Sequence, residues 1–204
     1  SSFTMTGGKI IVANGTPGAV ADYRVSAANG AGMTGGEIQT GTGDAVTQTG
    51  AVIKIAGNMP VWDLHAAGNA SDTVKSQITQ ETFTIDNDWI VDDLNIMELR
   101  GNTVNLAGDL DNYGVFDPIS GSSPTDPRLL VLTGSSNTQT LYNDNSGGLE
   151  LYNLRLDKND GRVLLGKSSG DNSNLIVRNT LEFASGNASL LDARTNALDV
   201  EMSP

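Results

Sequence analysis

Short runs of alternating apolar residues recur along the whole chain, and this recurrence constrains the fold more than any other feature. Each run is about 4–6 residues long and is bounded by Gly, Asn, Asp or Ser, as at 52–55, 82–85 and 129–132. Turn signals such as Asn14-Gly15 recur roughly every ten residues. Helical periodicity is almost absent, and the ambiguous segment 90–100 is interpreted as a strand. These patterns predict a β-sandwich, a β-barrel or a β-solenoid.

Internal repeats favour the solenoid. Three segments of the first half resemble three of the second half in the same order: 61–65 and 151–156, 89–96 and 175–183, 100–106 and 194–200. Their offset is roughly 85–95 residues. Smaller units of about 20–25 residues repeat within each half, and 3–10 also resembles 31–38 about one unit later. The chain is therefore predicted to be all-β, a single parallel β-helix over residues 1–204 with roughly nine coils and a length of about 40 Å.

The composition agrees with a narrow core. Hydrophobic residues make up 38% of the chain and aromatic residues only 5%, and a thin interior admits few large rings. Leu64, Leu154 and Ile90 are expected to point inward. Asn, Ser and Thr are expected to form ladders at the bends, where their side chains can bond from one coil to the next.

The charge and the cysteine count exclude several classes of function. The formal charge is −12 and the sequence pI is about 4.2, so a nucleic acid would be repelled. The absence of cysteine excludes disulfides and Cys-ligated zinc. The sequence contains no run of about 18 apolar residues, so membrane insertion is not predicted. The first residues lack a signal-peptide pattern, and both ends are interpreted as cut from a longer protein.

Seven segments resemble a repeat of large secreted surface proteins of Bacteroidota, which include gliding and attachment adhesins exported by the type IX secretion route. The segments are FTMTGG (3–8), VWDLH (61–65), WIVDDL (89–94), NLAGDLDNYGVF (105–116), VLTGSSNTQTL (131–141), LELYNLRL (149–156) and LIVRNTLEFASG (175–186). The resemblance implies a right-handed β-helix within a multi-domain, secreted protein at the cell surface. Asp72-Thr73-Val74 matches the O-glycosylation motif of these bacteria, which implies Thr73 as a glycosylation site.

Two sets of side chains are candidates for binding. The aromatic residues that could stack on a sugar are Trp62, Trp89, Tyr142 and Tyr152. The acids that could gather around a calcium ion are Asp109, Asp111 and Asp117. The segment beginning at Asp109 imitates a calcium loop, but its fifth and twelfth positions are Tyr113 and Ser120, so it is not an EF-hand. The alternative interpretation is a solvated acidic bend with no cofactor.

An enzymatic role remains an alternative. Asp86, Asp88, Asp92 and Asp93 form the densest acidic patch, and carboxylate pairs are the catalytic groups of glycosidases. No Lys or Arg lies within the patch, and Arg100 is the nearest in sequence. The single histidine, His65, is interpreted as a residue at a rim or bend.

These features favour a non-catalytic structural or adhesive β-helix segment, acting as a stalk or a binding face. Its expected partners are flanking domains of the same chain and a surface polysaccharide or another surface protein. The alternatives are a carbohydrate-binding or carbohydrate-active domain, such as a polysaccharide lyase or glycosidase, and a component held within a motility or secretion assembly.

Overall fold

The computed structural model describes residues 3–18, 20–26, 32–43, 52–68, 73–123, 125–135, 138–167, 174–184, 190–193 and 200–202. The strands in this part of the chain are β1 (Met5–Val12), β2 (Tyr23–Val25), β3 (Met33–Thr40), β4 (Ile53–Gly57), β5 (Asp63–Ala66), β6 (Val74–Ile78), β7 (Thr82–Ile85), β8 (Trp89–Val91), β9 (Asn95–Glu98), β10 (Thr103–Leu106), β11 (Leu110–Asn112), β12 (Val115–Asp117), β13 (Leu129–Leu132), β14 (Thr138–Asn143), β15 (Leu149–Leu156), β16 (Arg162–Lys167), β17 (Leu175–Phe183), β18 (Leu190–Asp192) and β19 (Val200–Met202). None of the described residues lies in a helix, so none forms a helix that could cross a membrane.

The strands form three sheets in a parallel β-solenoid of about six turns. Sheet A has the order β1-β3-β5-β8-β11-β14-β16-β18, sheet B has β12-β9-β6-β4-β2, and sheet C has β19-β17-β15-β13-β10-β7. The all-β parallel β-helix is thus confirmed. The predicted nine coils and right hand are not confirmed by these pairings and stay predictions.

The core is a set of apolar columns that run from turn to turn. On sheet A, five buried side chains stack in register: Leu64, Trp89, Leu110, Leu141 and Leu165. Leu154 belongs to a similar column on sheet C. The inward prediction is therefore confirmed for Leu64 and Leu154. It is wrong for Ile90, which pairs with His65 on the outer face, because alternation turns Trp89 and Val91 inward instead.

Polar side chains inside the solenoid bond from one turn to the next, as expected of a ladder. The Thr40 Oγ1 lies 2.7 Å from the Ser76 Oγ, and the Asn95 Nδ2 donates to that Ser76 oxygen at 3.2 Å. Farther along, the Asn112 Nδ2 donates to the Asn143 Oδ1 at 2.6 Å. All five residues are buried, so these bonds satisfy groups that water does not reach.

Glycine is required where the chain turns closely over its neighbour. A Cβ at Gly68 would collide with the Asp93 carbonyl oxygen, and one at Gly134 would collide with the Ala107 carbonyl oxygen. Both collisions involve backbone of the adjacent turn, which cannot move without disturbing the sheets.

The predicted repeats have two different outcomes. Residues 3–10 and 31–38 correspond to neighbouring strands: Met5 pairs with Met33 and Ile10 with Ile38. The longer repeat does not mark equivalent strands. Its segment 61–65 contributes to β5 in sheet A, whereas 151–156 lies in β15 of sheet C. Residues 194–199 of the last segment lie outside the described residues.

Candidate functional site

Three aspartates on the outside of sheet A each bond to the backbone of the next turn. The Asp88 amide donates to the Asp63 Oδ1 at 3.1 Å, and the Asp109 amide donates to the Asp88 Oδ1 at 2.9 Å. The Thr140 amide then donates to the Asp109 Oδ1 at 2.6 Å. We call Asp63, Asp88 and Asp109 the aspartate ladder. At each step it satisfies a backbone donor of the next turn, and so it stabilises the stacking of successive turns.

The ladder concentrates negative charge. Burial raises the pKa of Asp111, and the neighbouring Asp109 and Asp88 raise it further. Burial also raises the pKa of Asp109, with Asp88 acting in the same direction, although the bond from Thr140 and the charge of Lys158 oppose the shift. Asp86 has a raised pKa for burial alone. These carboxylates are therefore held in surroundings that disfavour their charged form.

Asp86, Asp88 and Asp109 also line a cavity of about 340 Å³ on this side of the solenoid, together with Ser135 and Thr138. The cavity is of the size that binds small molecules. Its described charged lining is entirely acidic, so it favours a neutral or cationic ligand over an anionic one.

A pair of aromatic residues, one exposed and one half-buried, adjoins the ladder. The Tyr113 and Tyr142 rings are 5.6 Å apart at an interplanar angle of 52°, and Tyr113 is 39% exposed. Burial raises the pKa of Tyr113, and Asp111, Tyr142, Asp144 and Asp92 raise it further. We call Tyr113, Tyr142, Asp111 and Asp144 the tyrosine patch. Partly exposed rings can stack on a sugar, and the carboxylates beside them can accept hydrogen bonds from its hydroxyls.

The side chain of Tyr142 has room because its neighbour on the next strand is Gly166. A Cβ at Gly166 would approach the Tyr142 Cδ2 to 3.1 Å. The absence of a side chain at this position leaves the ring free to lie over the strand. Gly166 thus helps to set the orientation of the patch.

His65 joins three successive turns of sheet A. Its Nδ1 lies 3.0 Å from the Glu37 Oε1, and its Nε2 lies 2.8 Å from the Asp92 Oδ2. The Lys9 Nζ also contacts the Glu37 Oε1 at 2.8 Å. Burial acts to raise the pKa of Glu37, but the bonds from Lys9 and His65 lower it below its ordinary value. The imidazole therefore links carboxylates of two other turns and ties three turns of the sheet together.

The aromatic residues predicted from the sequence are dispersed. Trp89 is fully buried and meets Phe116 edge to face with ring centroids 5.0 Å apart, so its ring belongs to the core and cannot stack on a surface ligand. Trp62 is half-buried and packs against the core. Tyr152 lies under the Arg128 guanidinium at 4.5 Å from its ring centroid. Of the four predicted residues, Tyr142 alone belongs to the tyrosine patch.

The three acids predicted to hold calcium are not brought together. Asp109 and Asp111 lie at or in β11 of sheet A, whereas Asp117 ends β12 of sheet B. The Asp117 Oδ1 accepts the amides of Ile119 and Ser120, both at 2.9 Å. Within the described ranges, no group of three or more His, Asp or Glu side chains is arranged to hold a metal ion.

The predicted glycosylation residue is accessible. Thr73 is exposed and directly precedes β6. Its neighbour Asp72 lies outside the described residues. Glycosylation of Thr73 stays a prediction.

Sequence reasoning missed the aspartate ladder and Tyr113. A signal for the ladder exists, because each member directly precedes an inward apolar residue: Asp63-Leu64, Asp88-Trp89 and Asp109-Leu110. For Tyr113 the signal is weaker, since the tyrosine approaches Tyr142 only once the turns are stacked.

Comparisons with protein-family models, with curated proteins and with solved structures find no match for this chain. The class of this protein is therefore known from its architecture alone, which is a parallel β-solenoid. Its function must be argued from its own surfaces, because a fold alone does not determine function.

Proposed function

We propose that the chain is a non-catalytic structural and adhesive segment of a secreted bacterial cell-surface protein. The observation that carries the proposal is the eight-stranded sheet A, whose pairings run along the solenoid and place the tyrosine patch on its outer face. Each turn adds about 4.8 Å to such a rod. The rod spaces its neighbours in the chain, and the outer face supplies the contact area.

The side chains on the outside of sheet C support a role as a rod. The Arg178 guanidinium makes two bonds to the Glu150 carboxylate, both at 2.8 Å, and the Asn179 Nδ2 donates to the Asn153 Oδ1 at 2.7 Å. Both pairs join β17 to β15. They add lateral bonds to those of the backbone and so oppose separation of the turns.

The sequence resemblance supports the cellular setting. It favours a Bacteroidota protein that is exported by type IX secretion and takes part in attachment or gliding. The right hand of the solenoid belongs to the same proposal. The partners are flanking domains of the chain and a surface polysaccharide.

Binding to polysaccharide tests the adhesive role. The purified chain should bind a subset of surface polysaccharides on an array. Tyr142→Ala should weaken that binding by about tenfold, because a sugar stacked on an aromatic ring contributes on the order of 1–2 kcal/mol. Phe183→Ala is the matched control, because Phe183 is an exposed aromatic residue of sheet C. Equal loss in both variants, or no binding by the unmodified chain, contradicts the proposal.

A carbohydrate-active domain is the second candidate. The raised pKa of Asp86 and of Asp109 favours it, because both line the acidic cavity and a general acid needs a raised pKa. Incubation with the same polysaccharides distinguishes the two. New reducing ends or unsaturated products that vanish in Asp109→Asn would establish an enzyme, whereas unchanged polysaccharide supports the non-catalytic role.

A further inference from the structure

A second cavity of about 340 Å³ lies at the outer side of sheet B and has the opposite charge. Its described lining consists of Thr16, Pro17, Val52, Lys54, Gln77 and Arg100. Two cationic side chains and no carboxylate belong to that lining. This is unusual in a chain with 12 basic and 24 acidic residues.

The wall formed by Thr16 and Pro17 is fixed to the sheet through Asp22. The Asp22 carboxylate accepts the Thr16 amide through Oδ1 at 2.7 Å and the Lys54 amide through Oδ2 at 2.9 Å. The Asp22 amide in turn donates to the Lys54 carbonyl oxygen at 2.7 Å. Both Asp22 oxygens are therefore engaged with backbone, and the segment is held beside β4.

The floor is a row of side chains in register across sheet B. Lys54 pairs with Gln77, and Gln77 pairs with Glu98. The Glu98 carboxylate is only 2% exposed, and it accepts the Gln77 Nε2 at 2.5 Å and the Lys75 Nζ at 3.0 Å. The nearest acid of the row is thus covered and bonded to groups other than Arg100.

Arg100 is held in place from below. Its backbone has φ of 54°, a left-handed conformation that side-chain-bearing residues seldom adopt. A Cβ at Gly121 would collide with the Arg100 guanidinium, so this group packs directly on the glycine backbone. A strained backbone and a packed side chain are a combination found at binding sites.

We propose that this cavity binds a small sugar acid of the hexuronate class. The carboxylate lies between Lys54 and Arg100, the hydroxyls face Gln77 and Thr16, and a ring face covers Pro17 and Val52. An acidic protein side chain offers only a carboxylate, and it has no hydroxyl or ring to meet the Thr16 and Pro17 side of the cavity. The site is separate from the tyrosine patch on sheet A and goes beyond the proposed function.

The test is a titration of the ¹⁵N-labelled chain with sodium glucuronate, followed by NMR. Glucose and sodium acetate are titrated in parallel at equal ionic strength. Glucuronate should shift the NMR signal of the Gln77 side-chain amide, and the shift should saturate. Glucose and acetate should bind at least about tenfold more weakly, because glucose lacks the carboxylate and acetate lacks the ring and its hydroxyls. Acetate binding as tightly as glucuronate would overturn the sugar-acid assignment.

Variants tie the binding to the two cations. Lys54→Gln and Arg100→Asn should each weaken glucuronate binding by at least about tenfold, because a hydrogen bond to a charged group is lost. Asparagine tolerates the left-handed conformation at position 100. Arg162→Gln is the control for net charge, since Arg162 lies on sheet A. Thermal melting establishes whether each variant is folded. If Arg100→Asn does not fold, the affinity of Lys54→Gln for glucuronate is the deciding measurement. Unchanged affinity in the folded variants overturns the proposal.

Discussion

Two ladders cross the turns of this solenoid, one inside it and one outside sheet A. The inner one joins Asn112 to Asn143 where both are about 2% exposed or less. The outer one is the aspartate ladder, whose carboxylates stay within reach of water. Both use bonds of similar length, so the difference lies in the surroundings. A buried polar group that loses its partner has no water to replace it, whereas an exposed one does.

The inner ladder gives the largest predicted effect. Asn143→Ala should lower the free energy of unfolding by about 2–4 kcal/mol, because it leaves the Asn112 amide without its acceptor and opens a cavity. Urea denaturation measures the loss. The matched control is Asn179→Ala, since Asn179 forms the same kind of amide bond to Asn153 at 2.7 Å on the exposed side of sheet C. That variant should change stability by less than about 0.5 kcal/mol. Similar losses in the two variants contradict the distinction.

The outer ladder gives a smaller effect whose sign depends on the substitution. Asp109→Ala removes the acceptor of the Thr140 amide and should cost about 0.5–1 kcal/mol, a value kept low by solvent screening. Asp109→Asn keeps an oxygen acceptor and removes a negative charge that is repelled by Asp88 and Asp111. It should therefore be neutral or stabilise by a few tenths of a kcal/mol at pH 7. The same denaturation series measures both, and a larger cost for Asn than for Ala would refute the electrostatic argument.

Acidification should reveal the outer ladder through a small change in melting temperature. Asp109 and Asp111 have a raised pKa in the folded chain. Each binds its proton more tightly when folded, so stability rises as the pH falls toward that pKa. Glu150 behaves oppositely: the bond from Arg178 lowers its pKa, and its contribution is lost as the pH falls through the folded value. Glu37, whose pKa is also lowered, behaves in the same way.

Melting curves should therefore show a shallow maximum. The melting temperature should rise slightly as the pH is lowered from 7 toward the raised pKa of Asp109 and Asp111, and it should fall at lower pH, where Glu150 and Glu37 take up protons. The double variant Asp109→Asn, Asp111→Asn should show a smaller rise, since Asp86 still contributes, and should keep the fall. A steady decrease from pH 7 in the unmodified chain is the result that excludes this account.

The sequence predicted the fold class well but could not assign strands to sheets. Residues 3–10 and 31–38 were matched correctly because the whole segment, including its glycines, is repeated in register. The longer repeat failed because strands of all three sheets share one alternating pattern. Ile90 failed for a related reason: Trp89, Ile90 and Val91 are all apolar, so alternation alone does not identify the inward face.

The candidate sites were less predictable than the fold. Tyr142 was selected for its residue type, but Tyr113 joins it only through the register of β11 and β14. Lys54 and Arg100 are 46 positions apart and belong to different turns. Asp117 was grouped with Asp109 by proximity in sequence, whereas the corner after Asn112 carries it to another sheet. Surfaces of this kind depend on stacking, which a local pattern does not contain.

The length of the individual turns has a consequence for how such a rod can change over evolution. Trp89 and Leu110 occupy neighbouring places on sheet A although 21 positions separate them, whereas 31 positions separate Leu110 from Leu141. The shorter circuit shows how little chain suffices to close one circumference. The longer circuit carries ten additional residues without losing the register of the strands. Insertions at the corners can therefore diversify what the surface recognises while the interior is inherited unchanged.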